Sequence, residues 1–480
     1  MSDSARPDSS ETKWYSGITR YQWIVLIIAS LGWVFDIFEG QIFVASMNEA
    51  MPSLVAEGTE PGRILFYNQI ALAAFLLGGA LGGILFGAMS DRVGRKKTMS
   101  FTILFYSIFT CVSAVSQDWW HLAVFRFLVA LGVGGEWAVA SALVAEVFPN
   151  RARAHVGGIF HASSVLGTYL AVAAGTFFIG NAAVHAWAAE QSGTWLASIV
   201  DPTSLPWRLG FALGVLPALL ILWIRTSLRE PDSWVAARLK AQDDASSSMG
   251  TIGDLFKGQL RRHTAVGVSL AAIGLATFWG AHIYGKNMLS AAKESQLVTQ
   301  ALAQADGNTL TDEAIAQVKS DNSVAIKRSE MLGMFLVTTG GGLGLLTFGP
   351  MSQRIGRKKT FLFYHIGAMF VAVITFQVVK GYGPLLLLLP VFGFLTLGMH
   401  AGYAIYFPEL YPTRLRGTGT GFCFNAGRII AAPILFSMGW LQKDLGLSLV
   451  NAASGLSLLY LLAIFALMFA PETKGQALPD

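Results

Sequence analysis

Charge is what this sequence has least of. Asp, Glu, Lys and Arg make up only 13% of its 480 residues, against about 25% in a soluble globular protein. A chain so poor in charge cannot cover a water-facing surface, so a soluble globular protein is excluded. Cysteine is nearly absent. Cys111 and Cys423 both fall inside apolar runs, which excludes a disulfide framework. No Gly-x-x-x-x-Gly-Lys-Ser/Thr phosphate loop occurs, which argues against an ATP-driven pump or an enzyme of that kind. The reading therefore has no catalytic residues, no cofactor and no metal. The net charge of +5 does not point to nucleic acid, because in so apolar a chain positive charge reports orientation. The polar N-terminal stretch lacks a small-residue cleavage site and does not read as a signal peptide.

What the chain has is apolar length. Its composition is 53% hydrophobic, and a run of roughly 20 such residues crosses a ~30 Å hydrocarbon layer. Twelve runs qualify: 22–47, 64–90, 98–116, 121–148, 156–180, 207–227, 264–289, 330–351, 360–379, 384–408, 418–440 and 446–470. The fold class expected is an all-α membrane protein with twelve transmembrane helices in two six-helix bundles. The expected organisation is a tail over 1–21, a first bundle over 22–227, a linker over 228–263 and a second bundle over 264–470. An external loop over 290–329 interrupts the second bundle, and a tail over 471–480 closes the chain. Thr311-Asp312-Glu313 reads as a helix start inside that loop. Lysines and arginines gather in the loops on the N-terminal side, which places both termini in the cytoplasm. The absence of an Asn-x-Ser/Thr site and the short tails lean towards a bacterial inner membrane.

Two segments occur twice. Phe86-Gly-Ala-Met-Ser-Asp91-Arg-Val-Gly-Arg-Lys-Lys-Thr98 returns as Phe348-Gly-Pro-Met-Ser-Gln353-Arg-Ile-Gly-Arg-Lys-Lys-Thr360, an offset of 262. Glu146, Pro149, Arg151, Arg153 and Gly158 return as Glu409, Pro412, Arg414, Arg416 and Gly421, an offset of 263. Two matches in near-identical register mean that one half was duplicated, and the shared loop side means that the halves have the same orientation.

These residues carry a family resemblance. Gly87-Ala-Met-Ser-Asp91-Arg92-Val-Gly94-Arg95 resembles the signature loop of the major facilitator superfamily, and its second copy strengthens the match. Arg126, Gly132-Val-Gly134-Gly135-Glu136, Glu146 and Arg153 are similar to helix 4 of its sugar-porter and acid–proton symporter branches. Arg229-Glu230-Pro231 and Pro471-Glu-Thr-Lys-Gly475 match further motifs of those branches. Sugar porters carry glutamines in helices 5 and 7. Here Thr168 stands at the first, and Thr277-Phe-Trp-Gly-Ala-His-Ile-Tyr284 contains none. Trp33-Val-Phe-Asp36 keeps the last acid of the Asp-Gly-Phe-Asp stretch in aromatic-acid and sialic-acid symporters, and Gly427-Arg428 with Pro433 resembles their helix 11. The resemblance implies a proton-coupled symporter of a small organic anion, working by alternating access as a monomer. Its partners would be that substrate, protons and the lipid bilayer. A sugar or polyol porter is the alternative, and a nutrient-sensing transceptor is the alternative of another class.

Ionisable residues at membrane depth are functional candidates by default. At ~1.5 Å per residue, Asp36 and Arg126 fall at a common level, and Glu136 roughly 15 Å nearer the cytoplasm. An Asp36–Arg126 pair is expected, with Glu39 one turn on, and a separate contact between Glu136 and His161. These four charged residues are the proton-coupling candidates. Arg428 sits near the midplane, where its donor fork suits a carboxylate, with Asn425 on the same face. Trp279, His282 and Lys286 share a helical spacing, as do His400 and Tyr403. With Thr168 and His161 these are the substrate-binding candidates. Gly87, Asp91, Arg92, Gly94 and Arg95, with Glu146 and Arg153, are expected to gate the cytoplasmic side. Arg354, Arg357, Glu409 and Arg416 repeat that role in the second half, where Gln353 in place of Asp91 predicts the weaker latch.

Overall fold

The computed structural model describes residues 13–243, 248–285, 287–304 and 311–480. Residues 1–12 of the N-terminal tail and Lys286 lie outside them. The described residues form helices and no strand. Twelve rods order the described residues: α1 (Arg20–Ala50), α2 (Pro61–Val93), α3 (Arg95–Ser113), α4 (Trp119–Val147), α5 (Asn150–Ile179) and α6 (Pro202–Ser227) in the first half. The second half holds α7 (Gly258–Thr277), α8 (Ser323–Ile355), α9 (Arg357–Val378), α10 (Tyr382–Glu409), α11 (Arg416–Ala431) and α12 (Leu449–Phe469).

Their outer surface is apolar. Leu387 is 80% exposed, Leu222 68% and Phe465 64%, an arrangement that water would penalise and hydrocarbon accommodates. The packing is pseudo-twofold. In each half the second and fourth rods pack along each other, as do α1 with α5 and α7 with α11. The halves join along two matching seams, α2 against α11 and α8 against α5.

Local chemistry explains where the rods begin and end. Thr19 caps α1, accepting from the Gln22 amide while the Gln22 side chain accepts from the Thr19 amide, a capping box. Thr311 likewise accepts from the Ala314 amide and starts a helix over Asp312–Asp321. The repeated basic loop shrinks to one residue. Gly94 alone separates α2 from α3, and Gly356 alone separates α8 from α9, with φ of 118° and 94°. A residue with a side chain would be strained there.

Several rods are interrupted near mid-length. α7 passes into a π turn over Phe278–His282, α10 breaks at Met399 and His400, and α11 breaks before a further helix over Ile434–Lys443. Such irregularity at membrane depth is tolerated where it lines a cavity or is buried in protein.

Candidate functional site

The face where α1 begins and α12 ends, called the termini face below, carries an ion-pair lattice that spans both halves. The Arg95 guanidinium bonds Asp91 on α2 and Glu146 at the end of α4 at 2.8 Å. Glu146 Oε1 also accepts from Arg416 of the other half at 2.8 Å. Asp91 reaches across the seam and accepts from the Gly417 and Thr418 amides at 3.0 and 2.7 Å. It thereby satisfies free donors in the first turn of α11, where a helix favours negative charge. Beside it Gly87 lies so close to α11 that a Cβ would stand 2.6 Å from the Gly417 carbonyl oxygen.

The second half repeats the pattern with weaker cross-contacts. Arg357 pairs with Glu409 at 2.8 Å, but Arg153 of the first half reaches Glu409 only at 3.9 Å. Gln353 accepts from Arg357 at 3.2 Å. Arg92 binds the linker carbonyls of Met249 and Gly250. Arg354 is a correction to the expected set: its side chain is exposed, outside the ion-pair lattice, and its carbonyl accepts from Lys474. In the linker, hydrogen bonds from Lys257 and Arg414 hold the Asp254 carboxyl below its ordinary range.

Two residues of this lattice were missed in the sequence. Glu230 accepts from the Arg95 amide at 2.7 Å, and Glu472 accepts from the Arg357 and Lys358 amides at 2.9 and 3.2 Å. Each follows the sixth rod of its half and caps the third. Their shared position after Arg229 and Pro471, beside a proline, was the available signal.

If this lattice holds the termini face shut, Asp91→Asn should loosen it. The amide replaces an acceptor of four donors with a group that presents its own N–H, and each charge-assisted bond is worth about 1.5–3 kcal/mol. A cysteine at Ala145 or Ala404, both buried, should then react with a water-soluble maleimide at least about tenfold faster, the equilibrium factor of ~1.4 kcal/mol. Unchanged labelling would remove the latch role.

The charges in the rod interiors are arranged differently from expectation. Arg126 does not pair with Asp36. It donates to the Glu39 carbonyl at 3.2 Å and the Ser113 hydroxyl at 3.0 Å, and lies over the Phe211 ring at 4.7 Å. The Glu39 carboxylate accepts from Thr110 at 2.6 Å. Asp36 instead faces Glu136 and Tyr106. Gly32, one turn before Asp36, is so close to Glu136 that a Cβ there would stand 2.3 Å from Oε1.

Side-chain direction explains the exchange. Helical side chains lean towards their own N-terminus. α1 rises from the termini face and α4 descends to it, so Asp36 and Glu136 lean towards each other, while Arg126 leans away from Asp36. Counting rise per residue located the Cα atoms and ignored that lean. Both carboxylates are buried, at 1% and 0% exposure, and among the described residues none of their four oxygens accepts a hydrogen bond. Two carboxylates in contact can bond only when one carries a proton.

Glu136 does not meet His161. The imidazole Nδ1 accepts from Trp137 Nε1 at 3.3 Å, and the His161 carbonyl accepts from Trp33 Nε1 at 3.3 Å. Trp137, one residue on, points round the helix to the side that Glu136 was expected to occupy.

Across the seam stands Arg428. It is half-buried, over the Phe424 ring at 5.1 Å and within electrostatic reach of Asp36. Among the described residues no acceptor bonds its guanidinium. Asn425 donates to the Gly421 carbonyl at 2.8 Å and leaves Oδ1 buried without a partner. Aromatic rings continue from this point: Trp137 lies 4.2 Å and Tyr403 6.1 Å from Phe424, and His400 5.2 Å from Tyr403. His400 Nε2 is buried without a partner, but the Tyr403 hydroxyl is committed to the Leu270 carbonyl at 3.0 Å.

The shared face expected for Trp279 and His282 is lost, because a π turn carries more residues per turn. Trp279 is half-buried beside Phe278, and His282 turns inward to Thr396 at 2.7 Å. Thr168 is half-buried on α5, next to Gly167, which packs on Val34 and Ile37.

Residues 66–480 match the family described as sugar (and other) transporter. A sialic acid transporter of Escherichia coli is 27% identical, the alignment covering 94% of this chain and 96% of that one. A cis,cis-muconate transport protein of Acinetobacter baylyi is 28% identical over 79% of this chain and 80% of its own. Among solved structures, a proton:xylose symporter of the major facilitator superfamily superposes with a TM-score of 0.67 at 17% identity, over 95% of this chain and 98% of that one.

Proposed function

From a chain that belongs to the sugar (and other) transporter family of the major facilitator superfamily, we propose a proton-coupled symporter of a small organic anion. The observation that carries this reading is the Arg428 guanidinium, half-buried beside an aromatic wall and bonded to no acceptor among the described residues. A cation left so is costly unless a ligand completes it, and its planar fork matches a carboxylate. The facing Asp36–Glu136 carboxyl pair supplies the proton site. The relatives named for sialic acid and cis,cis-muconate support an acidic substrate. The aromatic rings beside Arg428 favour a substrate with a flat unsaturated face, which stacks on them.

In this reading the chain acts as a monomer in a bacterial inner membrane, with both termini in the cytoplasm. The gating residues of the ion-pair lattice close the cytoplasmic side. The pair and the cation lie on opposite halves, so proton and anion would be bound on the two sides of the seam. The test is uptake by the purified protein in liposomes with an imposed inward proton gradient. A panel of cis,cis-muconate, benzoate, nicotinate, sialic acid and xylose should give accumulation of at least one carboxylate and not of xylose. Accumulation of xylose alone would replace the anion by a sugar. Carboxylate uptake indifferent to the gradient would remove the proton.

A further inference from the structure

Gly79, Gly83 and Gly87 recur every four residues along α2 and face α11, but they are not equivalent. A Cβ at Gly87 would collide with backbone, as would one at the neighbouring Gly82, 1.8 Å from the Leu131 carbonyl oxygen of α4. At Gly79 the collision is of another kind. A Cβ there would stand 2.4 Å from Arg428 Nη1, and the nearest backbone atom, the Ala130 carbonyl oxygen, is 3.7 Å away. The missing methyl is filled by the end of one long side chain.

The guanidinium is therefore held by shape, between this notch and the Phe424 ring, with no counter-ion bonded to it. A cation seated in this way keeps its donors free while its position is fixed, which lowers the ordering cost of binding. The notch belongs to α2 and the cation to α11, so the seat exists only while the seam between the halves is closed at that level.

We propose that Gly79 is a positioning residue for the anion site: the space it leaves seats the Arg428 guanidinium, and closure of the α2–α11 seam completes that seat. The proposal rests on the reading of Arg428 as the partner of the substrate anion. Alanine at 79 would displace a flexible side-chain end and not a helix, so the fold should survive while the cation is pushed off its seat.

The experiment follows the chemical reactivity of Arg428 in the purified full chain. Phenylglyoxal modifies accessible guanidinium groups, and peptide mass spectrometry reads the rate at each arginine. Gly79→Ala should raise the rate at Arg428 severalfold and leave Arg208 unchanged; an unchanged or slower rate at Arg428 would overturn the seat. Thermal unfolding gives a second reading if Gly79→Ala is poorly behaved. Its loss of Tm should vanish in an Arg428→Ala background, whereas an equal loss in both backgrounds would mean a collision with helix and not with Arg428. Protection of wild-type Arg428 by cis,cis-muconate or benzoate tests the anion reading separately. If no carboxylate protects, that reading fails while the Gly79 result stands by itself.

Discussion

Asp36→Asn protein in liposomes should exchange substrate across the membrane and accumulate none of it against a gradient. A one-unit pH difference driving one proton is worth about 1.4 kcal/mol, which supports about tenfold accumulation per coupled proton. The asparagine has nearly the shape of the acid and binds no proton in this range, so the conformational cycle persists while the coupled ion is lost. Asp36 stands against Glu136 with no hydrogen-bond donor on either carboxylate among the described residues, and in the proposed symport the two would act as one proton-binding unit. Glu136→Gln should therefore share the defect. Glu39→Gln is the contrasting variant: its carboxylate is bonded to Thr110 and its carbonyl to Arg126, so it should retain gradient-driven uptake. Counterflow and pH-jump uptake on the three variants separate these outcomes. Wild-type accumulation by Asp36→Asn would end its coupling role, and loss of coupling in Glu39→Gln alone would transfer that role.

Arg428→Ala should bind substrate almost undetectably, and Arg428→Lys should weaken the apparent KM about tenfold or more, the ~1.4 kcal/mol of one lost charge-assisted bond. Lysine keeps the charge but offers a compact ammonium in place of two parallel donors. Its amine also lacks the flat face that lies on Phe424. A neutral substrate predicts the contrary: Arg428→Lys would alter the rate of cycling and leave equilibrium binding nearly intact. Calorimetry with the carboxylate that the uptake panel identifies distinguishes the two. Wild-type affinity in Arg428→Lys would remove the main reason for placing an acid in this site.

The fold was legible because its signals are redundant. Apolar length marks the rods, and Gly94 and Gly356 recur inside duplicated basic segments. The ion-pair lattice was legible as a set of residues, though not as contacts. That Glu146 serves both Arg95 and Arg416 depends on where two distant helix ends meet, and no local spacing encodes it. The buried charges were misassigned for a definable reason. Depth along a helix follows from counting, but which acid meets which partner depends on side-chain lean, and antiparallel α1 and α4 bring Asp36 to Glu136. The Trp279 and His282 face failed because a π turn leaves no clear mark in Phe278-Trp-Gly-Ala-His282. Gly79 could be recognised as a close-approach residue, but the occupant of its notch lies on a rod some 350 residues away.

One carboxylate distinguishes the two seams, and it gives the closed molecule a hinge side and a free side. Asp91 bonds two amides and a hydroxyl of α11. Its counterpart Gln353 bonds only Arg357 in its own half, and the cross-half Arg153–Glu409 contact is long. Load applied to the two bundles is therefore shared unevenly. At the termini face, away from the Tyr169–Thr339 hydrogen bond further along α5 and α8, the α5–α8 seam should therefore part before α2–α11, as a door leaves its jamb before its pins. A molecule entering or leaving through the termini face would meet the parted edge at α5 and α8 while α2 still grips α11 and its cation.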